Sequence, residues 1–320
     1  MILTLTANPS HDRTVVLAGP LERGAVIRAD SVISQAGGKG VNIARACVSA
    51  GVPAIAVIPA AKDDPFVHEL LTAGIDCRPV HHDGTLRVNI TITEPDGTTT
   101  KLNSPGPALT DAVRRDLGEA LRRRAAAADW VVLAGSLPPG TPVDWYADLV
   151  VMLRENGARV AVDTSDEPLR ALVERLPAAA PQLMKPNGEE LASFTGDDPA
   201  LIESDPVAAV RAARTLVGCG VETVLATLGA RGAVLVTATG AWHATPPPMT
   251  VVSTVGAGDS SLFGYLLGEL LGHAPEKRLA LAVAYGSAAA GLPGTTMPHP
   301  HQARPELVPV RRLDVTPSHN

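Results

Sequence analysis

Two glycines and a carboxylate lie at the start of a helical pattern near the end of the chain. The segment reads Thr254-Val255-Gly256-Ala257-Gly258-Asp259. Apolar residues then recur at helical spacing, namely Leu262, Phe263, Leu266, Leu267, Leu270 and Leu271. Glycines let successive N–H groups point at one spot, and the helix dipole adds roughly half a positive charge there. The segment is therefore typical of an anion site.

Asp259 admits two interpretations. As an acidic residue in the first helical turn, it would simply offset the helix dipole. As a general base, it would accept a hydroxyl proton while the amides of Gly256, Ala257 and Gly258 stabilise charge on a transferring phosphoryl group. The two interpretations are physically compatible, and the segment alone does not decide between them.

Two further segments could bind ligands. Asp12 follows a short apolar strand, residues 2–5, and thus lies near its carboxyl end, where ligands of parallel sheets bind; a turn cap is the alternative. Gly37-Gly38-Lys39-Gly40-Val41-Asn42 precedes a helical run over 43–49. Three glycines around one lysine are typical of a phosphate-binding loop, although the Walker A spacing is absent and a plain glycine turn is the alternative.

The elements that must position these residues are those of an α/β protein. The chain has 320 residues, 45% of them hydrophobic but only 3% aromatic, as in parallel sheets flanked by helices. A helix is predicted over 110–127, with Thr110 as its N-cap. Short apolar runs predict strands buried on both faces, at residues 54–58, 130–134, 159–162 and 223–227. The alternation predicts a parallel, doubly wound sheet.

Residues 85–103 follow a different pattern. Leu86, Val88, Ile90 and Ile92 alternate with polar residues before a Pro-Asp-Gly turn, which is typical of a β-hairpin with one apolar face. We expect a small β lid here, to which parts of residues 12–28 add strands. A lid or a partner subunit would cover the apolar face.

Charge and composition restrict the partners. The net charge of −6 and pI near 5.8 argue against a nucleic-acid surface. No run approaches the roughly 18 apolar residues that span a bilayer, and polar residues interrupt the N-terminus before a signal sequence could form. Three scattered cysteines suggest reduced thiols. We expect a soluble, cytoplasmic protein with a small-molecule partner and no nucleic-acid or membrane partner.

Eight motifs in order resemble the ribokinase-like (PfkB) carbohydrate kinases, and within them the branch of 1-phosphofructokinases and tagatose-6-phosphate kinases. The resemblance covers residue 3 to about residue 295. It is carried by Thr6-Ala7-Asn8-Pro9-x-x-Asp12, Gly37-Gly38-Lys39-Gly40-x-Asn42-x-Ala44, Arg87-x-Asn89, Asn103-x-Pro105-Gly106-Pro107, Gly135-Ser136-Leu137-Pro138, Lys185-Pro186-Asn187-x-x-Glu190-Leu191, Leu228-Gly229-x-x-Gly232 and Gly256-Ala257-Gly258-Asp259.

The resemblance implies a role for each of these positions. Asp259 would be the base, with Gly256, Ala257 and Gly258 beside it. Glu190 would act on Mg²⁺ indirectly, through water or phosphate. The sugar phosphate would be held by Asp12, Gly37, Gly38, Lys39, Asn42, Arg87, Asn89 and Ser136, with Lys39 and Arg87 on its phosphate. ATP would be bordered by Lys185, Asn187, Glu190, Thr227, Gly229, Gly232, Gly256 and Gly258.

The resemblance also implies an architecture and an assembly. The fold would be a three-layer α/β/α sandwich with a mostly parallel sheet and an inserted β lid. Residues 1–295 would form the kinase domain, and 296–320 a Pro/His-rich C-terminal tail. ATP and Mg²⁺ would be the cofactors. A homodimer joined through the lids is expected by analogy and from the apolar hairpin face.

The chain departs from the family pattern at two positions. Ser253 stands where many members have an acidic residue, which suits the phosphofructokinase branch. Thr91 stands where that branch tends to have lysine, so the phosphate clamp would lack one charge. Lys101 on the returning strand would compensate if the hairpin register brings it near.

These observations predict transfer of the ATP γ-phosphoryl group to a ketose phosphate, most simply D-fructose 1-phosphate. Kinases of tagatose 6-phosphate or fructose 6-phosphate are the nearest alternatives. A catalytically silent sugar-phosphate sensor is an alternative of another class, against which the intact Gly-Ala-Gly-Asp argues. A dinucleotide oxidoreductase is excluded because no Gly-x-Gly-x-x-Gly follows the first strand.

Overall fold

Two sheets organise the computed structural model, which describes residues 1–314. The large sheet consists of β1 (Ile2–Thr6), β4 (Ala54–Pro59), β5 (Asp76–Val80), β8 (Trp130–Ala134), β9 (Val160–Asp163), β10 (Leu183–Met184), β11 (Thr223–Thr227), β12 (Ala233–Thr237), β13 (Gly240–Ala244) and β14 (Val310–Arg312). The small sheet consists of β2 (Ser10–Leu17), β3 (Ala29–Gly37), β6 (Arg87–Thr93) and β7 (Thr99–Asn103).

Helices connect most of these strands. They are α1 (Lys39–Ser49), α2 (Pro65–Thr72), α3 (Asp111–Ala125), α4 (Trp145–Glu155), α5 (Asp166–Glu174), α6 (Gly188–Thr195), α7 (Pro199–Ser204), α8 (Pro206–Gly218), α9 (Ala257–Leu270) and α10 (Pro275–Ala290), with 3₁₀ turns at Gly229–Arg231, Pro300–Gln302 and Pro305–Leu307. None of the helices within residues 1–314 combines the length and apolar character needed to cross a bilayer.

The large sheet has the order β14-β13-β12-β11-β10-β9-β8-β1-β4-β5. Neighbouring strands from β5 to β11 pair in parallel, and β12, β13 and β14 add an antiparallel edge. Successive residues of the central strands face two separate apolar clusters. One cluster contains residues of α1, α2, α9 and α10, and the other contains residues of α3 to α8. The predicted three-layer α/β/α class is confirmed.

Local sequence explains individual elements. Thr110 caps α3, because its hydroxyl accepts a hydrogen bond from the Val113 amide. The central strands β1 and β8 are fully buried, as their continuous apolar runs indicate. Gly38 precedes α1 with φ 116°, a conformation that favours glycine, so the chain can turn directly from β3 into the helix.

The small sheet is the lid, in the order β3-β2-β6-β7. The hairpin predicted over 85–103 forms β6 and β7, and residues 12–28 contribute most of β2. The strand β3, Ala29–Gly37, lies entirely after the predicted range 12–28. Its sequence, with Val32 and Ile33 adjacent and both exposed, lacks the alternation that would have identified it. From the segment predicted as a tail, residues 310–312 pair with β13, and 315–320 lie outside the described residues.

Candidate active site

The start of α9 places Asp259 at the centre of the site. Gly256 is the N-cap with φ 77°, and a Cβ there would lie 2.7 Å from Met297 Cε. The φ value favours glycine at the turn, and the methionine methyl group packs directly against it. Asp259 follows in the first helical turn with only 5% of its surface exposed, and its Oδ2 accepts a hydrogen bond of 2.8 Å from Asn42 Nδ2. The carboxylate is thus buried, oriented and next to a helix N-terminus.

Burial raises the pKa of Asp259 to about 6. The charge of Lys39 and the hydrogen bond from Asn42 act in the opposite direction, and the charge of Asp163 adds to the increase. A carboxyl with a pKa near 6 is ionised at neutral pH yet basic enough to take a proton from an alcohol in a transition state. This property fits a general base better than a helix cap alone.

Asp163, at the end of β9, binds two lysines from distant parts of the chain. Its Oδ1 lies 2.6 Å from Lys39 Nζ, and its Oδ2 lies 3.2 Å from Lys185 Nζ. Burial alone would raise the pKa of Asp163, but the two lysines outweigh it and lower the pKa. Burial likewise opposes the charge on Lys39, but Asp163 and Asp259 raise its pKa above the usual value. The three groups form a charge cluster beside Asp259, in which Asp163 and Lys185 are buried and Lys39 is partly exposed.

The segment that joins β10 to α6 carries the expected nucleotide residues. Asn187 Oδ1 accepts from the Glu190 amide at 2.7 Å, and Glu190 Oε2 accepts from the Asn187 amide at 2.8 Å, so the two residues form a capping box. Burial raises the pKa of Glu190. Asn187 also bridges to Thr227 at the end of β11. The cap uses one oxygen of Glu190, so this residue has a structural role in addition to any role toward a nucleotide.

Glycines occur where these elements approach one another closely or where the backbone turns sharply. A Cβ on Gly258 would lie 3.2 Å from Lys185 Nζ, so α9 and the lysine approach closely. Gly229 and Gly232 flank a 3₁₀ turn after β11, with φ values of 51° and 89°. A side chain at Gly232 would clash with the Ala244 carbonyl. These positions favour glycine because of backbone conformation or close packing.

On the lid side, Asp12 forms a polar group with two neighbours. Its Oδ1 accepts hydrogen bonds from Ser10 Oγ at 2.7 Å and from Asn89 Nδ2 at 3.1 Å. Burial raises the pKa of Asp12, and these bonds oppose the increase. A side chain at Gly37 would clash with the Asp12 carboxylate. The register pairs Asp12 with Asn89 and Ser10 with Gly37, so the strands β2, β3 and β6 meet at this group.

Arg87 begins the lid strand β6, and Ser136 follows β8 of the large sheet. Arg87 Nη1 donates to the Ser104 carbonyl at 3.0 Å, and within residues 1–314 its buried Nε has no hydrogen-bond partner. Burial lowers the pKa of Arg87. Asn8 Nδ2 donates to the Pro105 carbonyl at 3.0 Å and lies 3.4 Å from Ser136 Oγ. A buried guanidinium with a donor to spare is suited to an anionic ligand.

The hairpin register places Lys101 directly opposite Thr91, and Asn103 opposite Asn89. Residues directly opposite one another in an antiparallel pair lie on the same face of the sheet. Lys101 therefore shares the lid face that carries Asn89 and Arg87, two residues along the pair from Asn89. The register is the one that the expected compensation for Thr91 requires, and the role of Lys101 in the phosphate clamp stays a prediction.

The structure divides the predicted site residues into two groups. Lys39, Asn42, Lys185 and Asp259 meet around Asp163, whereas Arg87, Asn89 and Asp12 meet on the lid. Lys39 Nζ lies against Asp163 and not beside Arg87, so the expectation that both residues hold the substrate phosphate stays a prediction. Asp163 and Asn8 were missed by sequence reasoning. A carboxylate directly after a buried strand was the available signal for Asp163, as for Asp12.

Within residues 1–314 no three His, Cys, Asp or Glu side chains are grouped closely enough to hold a metal ion. Mg²⁺ in phosphoryl transfer commonly keeps water and phosphate ligands and needs only one or two carboxylates. Glu190 is the carboxylate beside Lys185 that fits such an arrangement, because both oxygens of Asp163 already lie against lysine ammonium groups.

Comparison with known proteins supports the prediction of a carbohydrate kinase. The pfkB family carbohydrate kinase pattern matches residues 6–302. The chain is 37% identical to a 1-phosphofructokinase of Rhodobacter capsulatus, covering 94% of both chains, and 34% identical to that of Escherichia coli K12, covering 90% of both.

Solved structures of phosphofructokinases are also similar to this chain. Phosphofructokinase-2 from Escherichia coli in complex with substrates and products has a TM-score of 0.86 at 29% identity, covering 94% of this chain and 96% of that chain. Its tetrameric inhibited form has a TM-score of 0.82 at 29% identity, covering 90% and 93%. The predicted sugar-kinase class is confirmed, with ATP as the phosphoryl donor. This chain belongs to the pfkB family of carbohydrate kinases.

Proposed function

We propose that this chain phosphorylates D-fructose 1-phosphate at its 6-hydroxyl with ATP and yields fructose 1,6-bisphosphate. The observation that carries the chemistry is the buried, raised-pKa Asp259 at the glycine turn that begins α9. The choice of substrate is supported by the 1-phosphofructokinase relatives at 34–37% identity over at least 90% of the chain.

The transfer needs one proton acceptor and a place for developing negative charge. Asp259 takes the proton of the 6-hydroxyl as the oxygen attacks the γ-phosphorus, and the bond to the β–γ bridging oxygen breaks to leave ADP. The amides of Gly256, Ala257 and Gly258 stabilise charge on the transferring group. Lys39 and Lys185 lie beside them and add positive charge. Closure of the lid would exclude water as a competing acceptor.

The sugar phosphate spans the two groups of residues. Asp12, Asn89 and the Gly37-Gly38 turn receive its hydroxyls, with Ser136 and Asn42 at the edges of the sugar site. Arg87 and Lys101 hold its phosphate from the shared face of the lid, since the Arg87 Nε donor has no protein partner in the described chain. Arginine provides a planar fork and lysine a point charge for such a group.

ATP lies along the ends of β10 and β11. Lys185, Asn187 and Glu190 border its phosphates, and Thr227, Gly229 and Gly232 border the rest of the nucleotide. Bound with ATP, Mg²⁺ would neutralise phosphate charge. Glu190 would act on it through water or phosphate, since the capping box already uses one of its carboxylate oxygens.

A substrate panel tests this function. ADP release is measured with fructose 1-phosphate, fructose 6-phosphate, tagatose 6-phosphate and unphosphorylated fructose. We expect the highest kcat/KM with fructose 1-phosphate. A preference for a 6-phosphate would move the assignment to the alternative kinases, and ligand binding without turnover of any member would favour the sensor.

A homodimer through the lids is a separate proposal. The lid face opposite Lys101 carries Val88, Ile90 and Ile92, and Leu102 pairs with Ile90 on that face with 54% of its surface exposed. An apolar sheet face of this kind favours a covering partner. Light scattering should give twice the chain mass for the native protein and a smaller mass for Leu102→Asp; a native monomer would contradict the proposal.

A further inference from the structure

A loop that includes Gly294, Thr295 and Met297 lies between the lid and the start of α9. On the lid side, Gln35 Nε2 of β3 donates a hydrogen bond to Thr295 Oγ1. A Cβ on Gly294 would lie 3.2 Å from Thr14 Oγ1 of β2, so this strand also packs closely against the loop. Thr295 is buried, with 9% of its surface exposed.

The same loop contacts the glycine turn. Ser253 Oγ donates to the Gly294 carbonyl and accepts from the Val255 amide, each at 3.3 Å. Met297 Cε would lie 2.7 Å from a Cβ at Gly256, which is the N-cap of α9. Met297 also accepts a hydrogen bond of 3.5 Å from Ser260 Oγ through its sulfur. The loop therefore contacts the lid strands and the glycine turn at the same time.

From these contacts we propose that Gln35 and Thr295 are positioning residues that set the glycine turn according to the position of the lid. The inference rests on the proposed function, because it assigns the Gly256 turn to the transferring phosphoryl group. Strand β2 carries Asp12 and β3 ends at Gly37. A sugar that engages these positions therefore acts on the same two strands that hold the loop.

This arrangement affects the rate more than binding. Thr295 is assigned to neither ligand, so its loss removes no proposed ligand contact; Gln35 is directly opposite Asp12 in the register, which makes Thr295→Val the more specific probe of the turn. What changes is the alignment of the turn amides, which matters only when charge develops on the phosphoryl group. The expected signature is a lower kcat with unchanged KM values.

The test uses isosteric and matched variants of the full-length enzyme. Thr295→Val removes the hydroxyl and keeps the shape, and Thr295→Ser restores it. Thr296→Val is the control, because Thr296 lies in the same loop, is exposed, and bonds only to the Pro293 carbonyl among the described residues. Gln35→Leu removes the lid partner, and the double variant Gln35→Leu/Thr295→Val completes the cycle.

We expect kcat to fall about threefold to tenfold in Thr295→Val and in Gln35→Leu, the size of effect that one neutral hydrogen bond produces. KM values for ATP and the sugar phosphate should stay within about twofold. Thr295→Ser should recover most of the rate, and the double variant should be no slower than either single variant. Thermal unfolding of each variant identifies any loss due to misfolding.

Several outcomes would overturn the inference. These are an unchanged kcat in both single variants, equal effects of Thr295→Val and Thr296→Val, or strictly multiplicative effects in the double variant. The assays use whichever panel sugar phosphate the wild-type enzyme phosphorylates. Failure on fructose 1-phosphate alone would therefore contradict the proposed substrate and leave the outcome of this cycle interpretable.

Discussion

Asn42 and Asp259 are 217 positions apart in the chain, yet the amide of one lies 2.8 Å from the carboxylate of the other. The bond joins α1, which begins at Lys39 directly after the lid strand β3, to α9, which begins at the glycine turn. Because Asn42 donates to the ionised form of Asp259, it lowers a pKa that burial raises. The helix that follows the expected sugar site thus contacts the proposed base directly.

The first prediction concerns pH. A base acts only when ionised, and the pKa of Asp259 is raised to about 6. The value of kcat/KM should therefore reach its maximum above this pH and decrease tenfold per pH unit well below it. A pH series of kcat/KM with saturating ATP, corrected for ionisation of the sugar phosphate, measures the acidic limb. A limb near pH 4, the usual range of an exposed aspartate, would contradict the assignment.

Asp259→Asn should retain the shape of the site but lose the proton acceptor. We expect kcat to fall by about 10²–10⁴, in the range that general base catalysis contributes. Binding of ATP and of fructose 1-phosphate, measured by calorimetry, should change little. Asp148→Asn on the surface of α4 is the control, because it also removes one carboxylate. Turnover at the wild-type level in Asp259→Asn would exclude this residue as the base.

Asn42→Ala should move the acidic limb to higher pH. The substitution removes a hydrogen bond that favours the ionised carboxylate, so the pKa of Asp259 rises further. The same pH series on wild type and variant measures the displacement. A limb at unchanged pH would show that the contact does not influence the base, whatever the change in kcat.

Asp163→Asn should destabilise the protein strongly. The carboxylate is fully buried and balances Lys39 and Lys185, and removal of one member of a buried ion pair costs about 3–5 kcal/mol. Urea unfolding gives the difference in free energy. Asp148→Asn, which removes a partner of Arg175 at the surface, should change the unfolding free energy little. Similar unfolding curves for the two variants would contradict the role of Asp163 as the counter-ion.

Exchange of the residues at positions 91 and 101 tests the phosphate clamp. Lys101→Thr should raise KM for fructose 1-phosphate about tenfold, the lower part of the range for a charged hydrogen bond, and leave KM for ATP unchanged. Adding Thr91→Lys should recover affinity, because the two positions are directly opposite on one lid face.

Arg13→Ala serves as the control for net charge in that experiment. Arg13 pairs with Ile90 and thus lies on the other face of the lid. It should have little effect on either KM. If Lys101→Thr and Arg13→Ala raised KM equally, a general effect of charge would replace the clamp as the explanation.

Sequence reasoning identified the parts of the fold whose signals are local. Continuous apolar runs located β8 and β11 to the residue, and the hydroxyl of Thr110 marked the start of α3. The strand β3 was not identified, because its exposed residues follow no alternation. The edge strands β12 to β14 belong to no βα unit, so the alternating pattern that revealed the parallel strands does not extend to them.

For the site, residue types and order were readable but contacts were not. The motifs named Lys39, Lys185 and Asp259 individually. That Asp163 joins the two lysines depends on β9 lying next to β10, which Lys185 follows, and on the position of the start of α1; no local pattern specifies either. The position of Lys101 depended in the same way on hairpin register, since a slip of one residue would move it to the other face.

The lid is built from two separate stretches of chain, and β2 pairs in parallel with β6 although some 70 residues separate them. The first stretch leaves β1 and returns into α1, and the second leaves β5 and leads to α3. Exchange of one contiguous segment between relatives therefore cannot transfer the whole lid. Recombination that transferred only residues 85–103 would combine Asn89 from one relative with Asp12 from another. Substrate preference should therefore diversify by point substitutions on both stretches.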